Sequence, residues 1–196
     1  MKKTLIILFC SLILFSCERG PYIKDYKIEG IGLGDSLLDY FSEEEITTEI
    51  KLNRYMYDYL SEDFGEVYLF NENFELYDYI SFFVKPDDKK YIIHQIRGII
   101  AYNDNIDKCY SKQKEIVEEL SLLFKDAKKE EDIIKFPKDP SGKSYKQQYI
   151  FIFNSGDEIR IDCAFFEENL RKKNNWDQGL AVIIAKQDVS NWLESY

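Results

Sequence analysis

Few side chains in this sequence are of the kinds that do chemistry, and their spacing limits them further. The single histidine, His94, lies in Tyr91-Ile-Ile-His-Gln-Ile-Arg-Gly98. Strand alternation places it on one face with Ile92, Ile96 and Ile100, which reads as a satisfied core or edge residue rather than a general base. No serine occupies a Gly-x-Ser-x-Gly elbow, and no cysteine has a histidine partner in view. One histidine does not make a zinc site, and the acids follow no calcium-loop pattern, so neither metal nor cofactor is expected. Acidic groups at Glu43 to Glu45, Asp87-Asp88 and Glu167-Glu168 have the residue types of a glycosidase pair. Among 36 acids such pairs arise by chance, and they read as solvated faces. Gly30-x-Gly32-x-Gly34 lacks the third glycine of a dinucleotide turn. Ser141-Gly-Lys-Ser144 has Pro137 where a phosphate loop needs glycine. Both read as turns, and a carboxylate hydrolase ranks last among the functions considered.

Cys17 is different, because its setting implies a covalent modification. Lys2 and Lys3 precede an apolar run from Leu5 to Phe15 that ends in Leu14-Phe15-Ser16-Cys17. A basic start, a short apolar stretch and a small residue before the cut make a secretory signal, too short for a permanent membrane span. Leu-x-Ser-Cys resembles the lipobox of bacterial lipoproteins, which implies cleavage after Ser16 and diacylation of Cys17. Two acyl chains anchor a protein stably without crossing the bilayer. By analogy with lipoprotein sorting, Glu18 is not the aspartate that retains proteins at the inner membrane, which favours the outer membrane in a Gram-negative cell. The expected organisation is a signal over 1–16, a tether over 17–26 and one domain over 27–196.

Losing Lys2 and Lys3 takes the basic count from 26 to 24 against 36 acids, a formal charge of −12. Such a chain repels phosphate backbones and anionic lipid surfaces, so nucleic acid is excluded as a partner. Its 45% hydrophobic content is enough for a folded core. With Cys10 lost and Cys17 acylated, Cys109 and Cys163 remain in an oxidising compartment. Both face apolar positions: Cys109 on a helix, Cys163 on a strand with Ile159, Ile161 and Phe165. A bridge closing roughly 55 residues would stabilise the fold by about 4 kcal/mol in the chain-entropy model. Two reduced buried thiols are the alternative, and the bridge is the expectation.

The elements that must position these groups follow from periodicity. Ile106 to Ala127 repeats apolar residues at Ile106, Cys109, Tyr110, Ile116, Val117, Leu120, Leu123 and Phe124, one face of a long amphipathic helix. Two short helices are expected at Ser36 to Phe41 and Glu43 to Leu52, the second opened by a Ser42/Glu45 capping box. Strands are expected at Glu66 to Phe70, Leu76 to Lys85, Tyr91 to Tyr102, Gln148 to Phe153, Glu158 to Phe166 and Gly179 to Lys186, with a last helix at Val189 to Glu194. Tyr149 to Phe153 and Leu180 to Ala185 are apolar on both faces and should be central. The fold class is α+β: an antiparallel sheet of about six strands, α-α-βββ-α-βββ-α, with the long helix packed on one face. Each half runs helix then meander.

Gly30-Ile31 and Gly34-Asp-Ser-Leu37, followed by helices and a meander, resemble the opening of SmpA/OmlA-type envelope lipoproteins and the related β-lactamase-inhibitor-like modules. The run Gly34 to Ile46 also resembles a family of uncharacterised small bacterial lipoproteins. The first resemblance implies scaffolding in an outer-membrane assembly, although this chain is longer and more acidic. The surface expected to meet a partner is the loop holding Arg171, Lys172, Lys173, Asn174, Asn175 and Trp176, cations and an aromatic anchor in an acidic protein. Packing of Trp176 back onto the sheet is the competing use. Tyr55, Tyr57, Tyr59, Tyr77 and Tyr79 form a second aromatic candidate. The functional expectation is a lipid-anchored, non-enzymatic interaction or assembly module in the cell envelope, bound to another envelope protein. The alternative is a periplasmic small-molecule or glycan binding protein.

Overall fold

The computed structural model describes residues 22–56 and 63–195, with the side chains of 55 and 56 excepted. The signal, Cys17, Tyr57 and Tyr59 lie outside the described residues. Seven strands form one antiparallel sheet. They are β1 (Gly65–Leu69), β2 (Tyr79–Val84), β3 (Ile93–Ala101), β4 (Lys128–Lys135), β5 (Tyr145–Ile152), β6 (Glu158–Phe165) and β7 (Gly179–Ala185). The helices are α1 (Glu43–Met56), α2 (Ile106–Leu123), α3 (Glu168–Asn174) and α4 (Gln187–Glu194). The sheet order is β1-β2-β3-β7-β6-β5-β4. Helix and meander occur twice, α1 with β1–β3 and α2 with β4–β6, and the last strand joins the two meanders.

Turn chemistry sets the hairpins locally. Asn71 Oδ1 accepts from Asn73 N at 2.9 Å, and Asp88 accepts from Lys90 N at 2.9 Å and Ile92 N at 3.2 Å. Gly156, at φ 83°, closes the β5–β6 turn. Ser42 N donates to Glu45 Oε2 at 2.8 Å, and Ser42 Oγ accepts from Glu45 N at 3.3 Å, so the capping box opens α1. The short helix expected at Ser36 to Phe41 is a single 3-10 turn, Leu37–Asp39. The described end of the expected tether, residues 22–26, joins the domain, with Ile23 buried and the Tyr26 ring 6.2 Å from that of Phe124.

Two expectations need correction. β4 was not expected, because Lys-Lys-Glu-Glu-Asp-Ile-Ile-Lys has no apolar alternation. It is an exposed edge strand held by its backbone ladder to β5, and its charges suit an edge. β5 is not central. It lies one strand from the edge, and of its Tyr149-Ile-Phe-Ile run only Phe151 is buried. An apolar run cannot say how many layers cover it. β7, by contrast, has β3 and β6 on either side and buries nearly its whole length.

One sheet face carries the main core. Phe82, Ile96, Val182, Ile184, Ile159 and Ile161 meet Ile46 and Ile50 of α1 and Val117 and Leu120 of α2. Gly98 lies on this face and is crossed by the Tyr77 ring, 2.5 Å from where a Cβ would be. Cys109 and Cys163 form a disulfide with Cα atoms 6.0 Å apart, tying α2 to β6. Buried Gln113 adds hydrogen bonds to the carbonyls of Ile161 at 2.8 Å and Gln147 at 3.0 Å.

Candidate functional site

The opposite face is only partly covered. α4 lies across one end of it, with Val189, Trp192 and Leu193 against Phe64, Phe83, Ile183 and Ala185. Beyond α4 a groove of about 490 Å³ opens, within the range of small-molecule sites. Its floor is Gly179, Ala181, Ala164 and Ile183, and its walls carry Gln95, Arg97, Lys146, Arg160 and Asp162 beside Ser190 and Glu194.

Strand alternation builds this lining. In β6, Ile159, Ile161 and Cys163 point to the helices, so Glu158, Arg160 and Asp162 point to the groove. Cross-strand register brings Arg97 opposite Ile183, Ile183 opposite Arg160, and Asp162 opposite Gln148. Arg97 donates to Glu66 Oε1 at 2.9 Å and to Ser81 Oγ at 3.2 Å. Lys146 Nζ lies 3.2 Å from Asp162 Oδ2. Arg160 lies 3.5 Å from Glu158 and 3.6 Å from Asp162, and Ser190 Oγ donates to Glu158 at 3.0 Å.

Arg97, Lys146, Arg160 and Asp162 are therefore paired, with Glu194 exposed at the rim, but several buried polar atoms are not. Gln95 Oε1, Asp162 Oδ1 and Arg160 Nε in the groove, and Gln148 Oε1 beside Asp162 on the same face, are buried with no hydrogen-bond partner among the described residues. Gln95 is 2% exposed, Asp162 5% and Gln148 7%, so these acceptors are cut off from bulk water. Burying an acceptor without a donor costs about 1–3 kcal/mol, which a fold retains where the group has another use.

The residues singled out in the sequence lie elsewhere. His94 is the extra residue where β2 pairing steps from Phe83↔Gln95 to Val84↔Ile93. That bulge turns it away from Ile96 and Ile100, correcting the face expected from plain alternation. Its Nδ1 lies 3.0 Å from Asp188 Oδ1, and the Phe64 ring packs edge-on at 5.5 Å. Burial raises the Asp188 pKa, but hydrogen bonds from His94 and Lys85 outweigh it and hold the carboxyl below its usual range. Among the described residues, no group of three or more His, Cys, Asp or Glu side chains is arranged to hold a metal ion.

Ser141-Gly-Lys-Ser144 encloses an anion of its own. Asp139 accepts from Ser144 N at 2.7 Å, Ser141 N at 2.8 Å and Lys143 N at 3.1 Å. The hydrogen bonds from Ser144 and then Ser141 hold its carboxyl far below the usual range. The acidic groups have local partners too: Glu45 caps α1, Glu167 caps α3 and Glu168 pairs with Lys172.

The segment expected to be a partner-binding loop is a helix over most of its length. Glu167 accepts from Asn169 N at 2.9 Å and Leu170 N at 3.1 Å, which starts α3. Asn175 ends it in the left-handed conformation at φ 53°. Arg171 reaches Asn103 Oδ1 at 3.1 Å, and Asn174 donates to Leu170 O at 2.8 Å. Trp176 packs on Phe136 and Phe166 with centroids 5.3 and 5.1 Å away. Lys172 and Lys173 are exposed on the outer side of the helix.

Gln95, Arg97, Lys146, Arg160 and Asp162 carry no motif in the sequence. Their one local signal is the Glu-x-Arg-x-Asp alternation at 158–162, complementary to the Ile-x-Ile-x-Cys face at 159–163. No protein-family model, curated protein or solved structure matches the chain.

Proposed function

We propose that this chain is a lipid-anchored envelope protein acting as a non-enzymatic binding module, held by acylated Cys17, with the open sheet face as its binding surface. One observation carries the reading: a groove of about 490 Å³ whose walls contain buried polar atoms lacking partners. Paired charges, a floor of small residues and unmet acceptors suit recognition rather than bond cleavage. His94, the only imidazole, is held by Asp188 beside Phe64 and α4. Among the described residues no helix is long and apolar enough to cross a membrane; the anchor in this reading is the lipobox-like Leu14-Phe15-Ser16-Cys17.

The test uses a photo-crosslinking side chain at Ala164 in the full chain, irradiated in native envelopes. A single dominant adduct that disappears when Ala181→Trp fills the groove supports the module. Identical adducts in the filled variant, or none in the parent, overturn it. Cys17→Ala should move the protein from the membrane to the soluble fraction; retention on the membrane would remove the anchor from the reading.

The alternative is a small-molecule or glycan binding protein. The unpartnered acceptors favour it over a flat protein interface, because they call for a ligand able to enter the groove and donate hydrogen bonds.

A further inference from the structure

We propose that the groove binds a short neutral oligosaccharide; the assignment rests on the binding-module reading and names the ligand class of that site. The first argument is charge. Arg97 is matched by Glu66, Lys146 by Asp162, and Arg160 by Glu158 and Asp162. No surplus charge remains among these groups to select an ion, and the further charge of the lining, Glu194, is exposed at the rim and is negative, which disfavours an anionic ligand. What remains unpartnered are Gln95 Oε1 and Asp162 Oδ1 in the groove and Gln148 Oε1 beside Asp162 on the same sheet face, three acceptors on side chains more than nine-tenths buried, with one donor, Arg160 Nε. Their complement is a neutral ligand that mostly donates but also accepts, and a set of hydroxyl groups does both.

The second argument is the far end of the same face. Register runs from Tyr79 to Ile99, Ala181, Asp162 and Gln148, one residue per strand. Tyr79 and Asp162 are three strands apart, roughly 14 Å at ~4.8 Å per strand. At the Tyr79 end the rings of Tyr68, Phe70 and Tyr79 cluster, with Phe70 and Tyr79 centroids 5.3 Å apart and Phe70 70% exposed. Aromatic faces take the apolar C–H face of a sugar ring, and carbonyl and carboxylate acceptors take its hydroxyls. An aromatic platform and a row of acceptors so spaced suit a ligand several sugar rings long. A single small polar molecule would not reach both.

The test presents the full chain, in detergent micelles, to an array of neutral and acidic oligosaccharides, followed by calorimetric titration of the best neutral binder. A neutral oligosaccharide should bind with a Kd of about 1 mM or tighter. Gln95→Met should weaken that binding at least tenfold, and Ala164→Trp should abolish it. Phe70→Ala should weaken binding severalfold with no change in Tm, since the ring is exposed. Absence of any neutral binder, preference for acidic glycans, or a Gln95→Met affinity equal to the parent's would overturn the assignment. If the Ala164 crosslink still depends on an open groove while the array stays blank, the saccharide falls and the binding module stands.

Discussion

The two faces of the sheet are built from the same strands by the same alternation, yet they solve opposite problems. The helix face of β6 presents Ile159, Ile161 and Cys163, all fully buried, sealed by α2 and the disulfide. The other face of β6 presents Glu158 and Asp162, almost as buried but charged, with the partly buried Arg160 between them. On the first, burial stabilises in proportion to the apolar area removed from water. On the second, charges must be paired, and the acceptors left over cost stability. Inaccessibility to water is therefore a poor guide to which face holds the fold together. Partner satisfaction separates them.

The largest test of that contrast truncates the helix face. Phe82→Ala should cost about 3–5 kcal/mol in urea unfolding; a loss near 1 kcal/mol would mean the core collapses to fill the space. Replacing both Cys109 and Cys163 by Ser should cost about 4 kcal/mol in the chain-entropy model, read as a lower Tm that matches the reduced parent. A variant as stable as the oxidised protein would show that packing alone holds α2 on β6.

Trp176→Ala should cost about 2 kcal/mol, because its ring closes a three-ring cluster with Phe136 and Phe166. An unchanged Tm would free Trp176 for partner contact. On the open face the sign should reverse. Gln95→Met removes a buried acceptor with no partner and should be neutral or stabilising by about 1 kcal/mol. A clear loss of stability would make Gln95 part of the structural core and erase the distinction between the faces.

The smallest effect is acid sensitivity where α4 meets the sheet. The Asp188 carboxyl is held below its usual range in the fold. Its contribution is thus full above the unfolded carboxylate pKa of about 3.9 and is lost as pH falls through the lower folded value. Tm curves of the parent and Asp188→Asn should lie apart near neutrality and converge in acid. Curves that stay parallel would show that the Asp188 charge adds nothing at this exposed position.

Much of this architecture was legible residue by residue. The apolar spacing of α2, the capping box at Ser42 and Glu45 and the facing of Cys109 and Cys163 are all local patterns, and all are found in the fold. β4 was not legible, since an edge strand needs no buried face and its charges gave no period. α3 has no apolar stripe in Arg171-Lys-Lys-Asn-Asn to mark it as a helix; its start is set by the Glu167 cap. His94 was assigned to the wrong face because one inserted residue reverses every side chain beyond it.

The sequence by itself determined the alternating faces of the strands, the helix stripe, the turns and the pair of cysteines that could meet. These depend on neighbours a few positions apart. Only the tertiary structure decided that β7 enters between β3 and β6, bringing Gln95, Arg97, Lys146, Arg160 and Asp162 to one groove. Strand order and register among distant segments depend on packing of the whole chain, and no local period encodes them.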